Sequence, residues 1–252
     1  MMVGAVDQTR FYTDAYTQAD AATAAGYGEW RTLGARTKAE HVVALCERAA
    51  LRPAHVVEIG CGAGSLLAEL AARGVAPRLD GFDVSAPAVD ITRSHDIPGV
   101  RAEVFDGARV PVDDRAYDLA VLSHVLEHVP DPAALLAEAA RVARWVLVEV
   151  PLEDNRSAAR PAKRAEAARI GHIQFFDRAA VRALCRDAGL EIRVELADPL
   201  AHEHLAFGIT GTKARLRAGA KAAVRQAAWR IAPRAAERAF TVHYACITTP
   251  AR

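Results

Sequence analysis

A short apolar run, Val56-Val57-Glu58-Ile59, passes directly into Gly60-Cys61-Gly62-Ala63-Gly64 and then into Ser65-Leu66-Leu67. Such a run reads as a buried strand and the residues after Ser65 as a helix, so three alternate glycines stand at a strand-to-helix turn. Glycine accepts the positive φ of a sharp turn and lets a ligand reach the backbone where a Cβ would collide. A chain with this turn is confined to α/β folds whose loops gather at the carboxyl ends of parallel strands. The spacing is G-x-G-x-G, and Ser65 occupies the position where a G-x-G-x-x-G nucleotide loop has its third glycine. A glycine loop by itself also suits nicotinamide enzymes, so the next strands decide what it binds.

Further strands are expected at Leu79–Asp83, Ala102–Phe105, Tyr117–Ser123 and Trp145–Val150, besides His55–Ile59. Helical patterns alternate with them at Ser65–Arg73, Ala86–His95 and Pro132–Ala143, the last with Asp131 as N-cap and Pro132 in the first turn. Asp177 caps Arg178–Asp187, which Gly189 ends. Strands Glu191–Ala197 and Thr241–Thr248 follow, and Thr9–Leu51 ahead of the sheet is mostly helical. The second strand ends on Asp83, about twenty residues past the glycine loop, where a carboxylate accepts both hydroxyl protons of a ribose. The third ends on Asp106, where an acid meets an exocyclic amine. A solvated strand end explains either acid alone; glycines, acid and acid in register on three successive strands point to an adenosine ligand.

Together these residues resemble the class I S-adenosylmethionine-dependent methyltransferases, and the likeness sharpens after the fourth strand. Asp118 followed by Leu126-Glu127-His128-Val129-Pro130-Asp131-Pro132 is similar to the D-x7-L-E-H-x-x-D-P signature of their small-molecule, type 11-like branch. Gly171-His172-Ile173-Gln174-Phe175-Phe176 is similar to the G-H-x-x-F-F segment of the same branch. The likeness covers roughly residues 54–198. It implies a Rossmann-like, seven-stranded, mostly parallel sheet with an antiparallel last strand and helices on both faces. Residues 1–53 would be a helical leader, 54–198 the cofactor-binding core, 199–240 a basic helical insertion between the last two strands, and 241–252 the last strand and tail, all one domain. It further implies S-adenosyl-L-methionine as cofactor, with Gly60, Gly62 and Gly64 beside its methionine part. Asp83 would hold the ribose, Asp106 face adenine and Ser123 lie beside the sulfonium, with Glu58, Cys61, Val84 and Gly107 completing the contacts.

A sulfonium methyl is already electrophilic, so such a protein chiefly aligns the attacking atom and excludes water. A base is needed when the nucleophile carries a proton of high pKa. His124, Glu127 and His128 are spaced i, i+3, i+4 and share a face if that stretch turns helically, and His172 is a further candidate. One reading makes His128, His124 or His172 a base or a substrate hydrogen-bond partner. A second makes His124, Glu127, His128 and His172 a divalent-metal site for vicinal hydroxyls. Plant small-RNA 2′-O-methyltransferases and some quinone O-methyltransferases look similar there, with glutamate in place of His124. Three imidazoles and one carboxylate suit zinc or iron better than magnesium. The third reading is structural: Glu127 and His128 brace the turn into Pro130.

The net charge of +1 hides an asymmetry, because Lys213–Arg238 holds eight basic residues against one acid, Glu237. Leu216, Ala220, Val224, Ala227 and Ile231 recur at helical spacing and leave Lys213, Arg217, Lys221 and Arg225 as a basic stripe. Topology puts this insertion on the active-site side, as a solvated lid face or as a surface for something anionic: a charged acceptor, a membrane surface or, less well, nucleic acid. The amino-methyltransferase tetrapeptide [D/N]-P-P-[aromatic] is absent after the fourth strand, where Ser123-His124-Val125-Leu126 stands, so no nucleic-acid substrate is expected. Ser65, Glu58 and Asp106 together disfavour a nicotinamide oxidoreductase. Four scattered cysteines lack C-x-x-C spacing, and no apolar run is long enough to span a bilayer. With no export signal in view, a cytoplasmic enzyme methylating a small molecule at oxygen or nitrogen is expected; a cofactor-binding protein without catalysis is the alternative.

Overall fold

A computed structural model describes residues 8–17 and 21–251. Two helices lead the chain, α1 (Gln8–Thr17) and α2 (Ala21–Arg48). Then come β1 (His55–Ile59), α3 (Ser65–Ala72), β2 (Arg78–Asp83), α4 (Ala86–Ser94), β3 (Val100–Val104) and β4 (Tyr117–Ser123). After one 3-10 turn at Leu126–His128 the order is α5 (Pro132–Val142), β5 (Ala143–Pro151), α6 (Pro161–Arg169), α7 (Arg178–Asp187) and β6 (Leu190–Pro199). The chain closes with α8 (His202–Ala206), α9 (Thr212–Ile231), α10 (Pro233–Ala239) and β7 (Val242–Pro250).

The sheet runs β3-β2-β1-β4-β5-β7-β6. Pairing is parallel from β3 to β5, and β7 lies antiparallel between β5 and β6. This is the expected Rossmann-like sheet with its antiparallel last strand. Strand order reverses between β1 and β4, the place where sheets of this kind open a crevice at their carboxyl ends.

Successive strand residues face opposite sides, and both sides of the central strands are covered, so β1, β4 and β5 are largely apolar and buried. Val57, Ile59, Ala120, Leu122, Val146 and Val148 pack in one core with Leu135, Leu136 and Ala139 of α5 and Val181 of α7. Val56, Leu119, Val121, Leu147 and Ile247 pack in the other with Ala39, Val42, Leu45 and Cys46 of α2 and Leu66, Leu67 and Leu70 of α3. Asp131 and Asp177 cap as expected, accepting the amides of Ala134 and Ala180, and Ser85 likewise accepts that of Ala88.

The basic insertion departs from expectation. It is helical, but α9 turns its small residues Ala218 and Ala222 to the protein. Leu216, Val224 and Ile231, the expected buried face, stand 69%, 68% and 83% exposed. Alanines allow the closer backbone approach, and that decides which side faces inward.

Candidate active site

The carboxyl ends of β1, β2, β4 and β5 open into a cleft of about 1180 Å³. That exceeds the roughly 300–1,000 Å³ of a single small-molecule site, which gives room for a cofactor and an acceptor together. Glu58, Gly60, Cys61, Gly62, Asp83, Val84, Asp106, Gly107 and Ser123 line it, as do His124, His128 and His172. Gly64 stands just behind, at the N-terminus of α3.

The loop is stitched to β2. Asp83 accepts the amides of Gly62 (2.8 Å) and Ser85 (2.9 Å) on its two carboxylate oxygens, and each oxygen keeps a lone pair for a ligand hydroxyl. Burial raises its pKa, against those amide contacts. Gly60, Gly62 and Gly64 have φ of +82°, +53° and +75°, a region that costs other residues about 1–2 kcal/mol. A Cβ would collide with Val125 at Gly60 and Thr92 at Gly64, whereas at Gly62 it would lie 2.7 Å from the Tyr16 hydroxyl of α1. All three glycines therefore answer to packing as well as to φ, Gly62 against a side chain of α1. Tyr16 lies under Arg31, 4.2 Å from ring centroid to guanidinium carbon. Asp106 is exposed and accepts the amides of Ala108 and Arg109, which hold its pKa low. Glu58 is buried with Oε2 lacking a partner, and burial pushes its pKa up. An orphaned carboxylate oxygen beside a glycine cradle fits a ligand with both a cationic group and a ribose.

A network of buried polar groups backs Ser123, His124 and His243 of the cleft lining. Glu149, at the end of β5, is wholly buried. It accepts hydrogen bonds from His41 Nδ1 (2.7 Å) and Ser123 Oγ (2.7 Å). His41 Nε2 reaches Asp198 at 3.3 Å. Burial opposes charge on His41, but the two carboxylates prevail and hold its pKa up, to about 10. The same contacts outweigh burial at Glu149 and keep it well below the usual carboxylate range. His243, at the start of β7, packs edge to face against His124 and His41. Burial pushes His124 and His243 down to about 3 each. Lys38 and His204 also line the cleft; among the described residues Lys38 makes no ion pair.

His124, Glu127 and His128 do not share a helical face. His124 sits at φ +57° ahead of the short 3-10 turn that carries the other two. Glu127 anchors the later segment, its carbonyl accepting the amides of Ile173 and Gln174. His172 is thereby set against His128, with ring centroids 4.7 Å apart. Burial lowers His128 to about 4. His172 donates from Nδ1 to Glu153 (2.7 Å), and this contact wins over burial to raise its pKa. The four proposed metal ligands divide: Glu127, His128 and His172 place donor atoms within 4.8 Å of one another, while His124 falls with Glu149 and His243. His124 Nδ1 still lies 3.1 Å from Glu127 Oε1.

Sequence reasoning missed His41, Glu149, Glu153, Asp198 and His243. Glu149 had a signal, an acid inside an apolar strand; the others had none until the fold assembled them. The basic stripe does not line the cleft. None of α9 does, and the insertion reaches it only through Leu200 and His204. The segment carrying His202 and His204 is helical (α8), and only His204 is buried.

Residues 30–195 match a family described as "Methyltransferase domain". Among curated relatives, the ubiquinone biosynthesis O-methyltransferase of Hahella chejuensis is 35% identical over 105 residues, 39% of this chain and 42% of that protein. The protein of the same name from Thiobacillus denitrificans is 30% identical over 160 residues, 57% of this chain and 67% of that one. The first match thus spans less than half the relative's length. The phosphoethanolamine N-methyltransferase 2 of Haemonchus contortus, solved with S-adenosyl-L-methionine, shares the fold. Its TM-score is 0.60 at 12% identity, over 84% of this chain and 52% of that one.

Proposed function

Because the chain belongs to the methyltransferase-domain family, we propose that it transfers the methyl group of S-adenosylmethionine to a hydroxyl oxygen of a small-molecule acceptor, with His172 as the base. The observation that carries this reading is that the Glu153–His172 pair lines the same cleft as the glycine loop. The cofactor supplies an electrophilic methyl group. Asp83 would hold the ribose through the lone pairs its amide contacts leave free, Asp106 and Gly107 would flank adenine, and Glu58 would meet the ammonium. The backbone of Gly60–Gly64, with Cys61, Val84 and Ser123, would complete that side.

A hydroxyl must lose its proton as it attacks. Glu153 fixes the His172 ring through Nδ1, which leaves Nε2 to take that proton, and the carboxylate stabilises the imidazolium formed. Lys38 adds positive potential for the developing oxyanion. His128 and His124, kept neutral by burial, hydrogen-bond the acceptor without titrating near neutrality. The relatives' shared description as O-methyltransferases supports oxygen over nitrogen. Labelled-methyl transfer to a panel of phenolic, catecholic and aliphatic hydroxyl acceptors tests this. His172→Gln should lower kcat by about 10²–10⁴-fold while cofactor affinity stays unchanged; an unaltered kcat would remove His172 as base.

A second reading rests on one specific observation. Neither carboxylate oxygen of buried Glu127 accepts a hydrogen bond, although His124 Nδ1 lies 3.1 Å from Oε1, and a Glu127 oxygen lies within 4.8 Å of a donor atom on each of His128 and His172. These residues could hold zinc or iron and so fix two adjacent hydroxyls. Elemental analysis of purified protein separates the readings: bound metal with chelator-sensitive turnover supports this one, and metal-free, chelator-insensitive turnover rejects it.

A further inference from the structure

Along α9, Leu216, Ala220, Val224, Ala227 and Ile231 fall within about 80° of one another at 100° per residue. They lie opposite the inward Ala218 and Ala222. Arg217 and Lys221 border this stripe on one side and Arg230 on the other, with Lys213 at its N-terminal end. The helix has six basic residues and no acid. The positive surface continues onto Arg160 and Lys163 at the start of α6, which, after burial and Arg225, weaken the hold of Lys221 on its proton. A helix needing only solubility would turn Leu216, Val224 and Ile231 inward, yet these are among the most exposed large apolar residues described. Their partner must be apolar at its centre and anionic at its margins.

A second copy fits poorly, since two-fold packing of these stripes brings Arg217, Lys221 and Arg230 against their own counterparts without an acid on α9 to pair with them. A nucleic acid has phosphates but no place for three aliphatic side chains. A bilayer containing anionic lipid has both: an acyl boundary for the stripe and headgroup phosphates for its flanks. We propose that α9 lies in the plane of an anionic membrane surface and docks the enzyme there. The short α8 joins this surface to the cleft, for His202 would lie 3.5 Å from a Cβ placed at Gly219 of α9 while His204 lines the cleft. Docking thus holds the acceptor side of the cleft near the lipid, whichever atom is methylated.

Co-sedimentation of the full chain with phosphatidylcholine vesicles, with and without phosphatidylglycerol, tests this. Binding should need phosphatidylglycerol and weaken at least about tenfold when ionic strength is raised to about 1 M. The triple variant Leu216→Ser/Val224→Ser/Ile231→Ser alters only exposed side chains and should keep its melting transition while losing at least about tenfold in vesicle affinity. A charge variant, Arg217→Glu/Lys221→Glu/Arg230→Glu, provides a second measurement and should lose binding as well. Three results would overturn the proposal: no binding by the wild type, full binding by the serine variant, or a lipid-independent dimer in ultracentrifugation that the serine variant abolishes.

Discussion

The two walls of the cleft hold their carboxylates in opposite ways. On the glycine-loop side, Asp83 and Asp106 are met by backbone amides a few residues away or on the adjoining loop. On the histidine side, Glu149 is held by the side chains of His41, 108 positions earlier, and Ser123, 26 positions earlier. Amide contacts come with the turn and survive side-chain replacement elsewhere. A buried imidazolium–carboxylate pair stabilises only while both partners are present, and losing one strands the other. The glycine-loop side is therefore laid over robust backbone, and the histidine side rests on side-chain pairs that must all be present.

The sharpest way to break this comparison is Glu149→Ala. It leaves His41 buried with one carboxylate fewer and should cost about 3–5 kcal/mol of folding stability, read as a lowered denaturant midpoint. A loss below about 1 kcal/mol would mean that the network carries no structural load. Gly62→Val is the counterpart on the other wall. Its φ of +53° and the nearby Tyr16 hydroxyl leave no room for a branched side chain. Cofactor affinity should fall by about two orders of magnitude, while circular dichroism shows an intact melting transition. Retained affinity in calorimetry would contradict the placement of the cofactor against this loop. Asp83→Ala is milder: about 1.5–3 kcal/mol of cofactor binding should go with the charge-assisted contacts to ribose.

The smallest effect is in pH dependence and comes from the histidine side alone. His124, His128 and His243 stay neutral in the folded chain down to about 3, 4 and 3, whereas the unfolded chain protonates them below about 6.5. Unfolding then takes up protons, so stability falls as pH drops from about 6.5 toward 4. His41 acts in the reverse sense. Its pKa is raised to about 10, so its contribution is complete below about 6.5 and lost as pH rises through 10. The melting temperature should therefore peak near pH 6–7 and shift by a few degrees on either side. In His41→Gln the alkaline decline should flatten; an unchanged alkaline limb would assign it to another group.

The same contrast explains what was legible in the sequence. Glycines, Asp83 and Asp106 sit at strand ends that follow one another, so spacing alone aligns them. His41, Asp198 and His243 meet only after α2, β6 and β7 converge, and nothing local marks a histidine in α2 as the partner of an acid in β5. The stripe on α9 was legible as a period but not as a direction. Periodicity says which residues share a face; whether that face turns inward depends on what the sheet offers, and here Ala218 and Ala222 fit it better.

The insertion of β7 between β5 and β6 bears on how the molecule is made. Until β7 emerges, β5 has one unpaired edge and β6 has no strand to join. The ribosome must add roughly fifty residues beyond Pro199, about 3–10 s at 5–20 residues per second, before both edges close. Throughout that interval the nascent chain offers an open, apolar strand edge of the kind that recruits other chains. Synthesis thus separates the two halves of the site in time: the glycine loop can fold on β1, β2 and β4 early, while His243 reaches His41 and His124 only with β7.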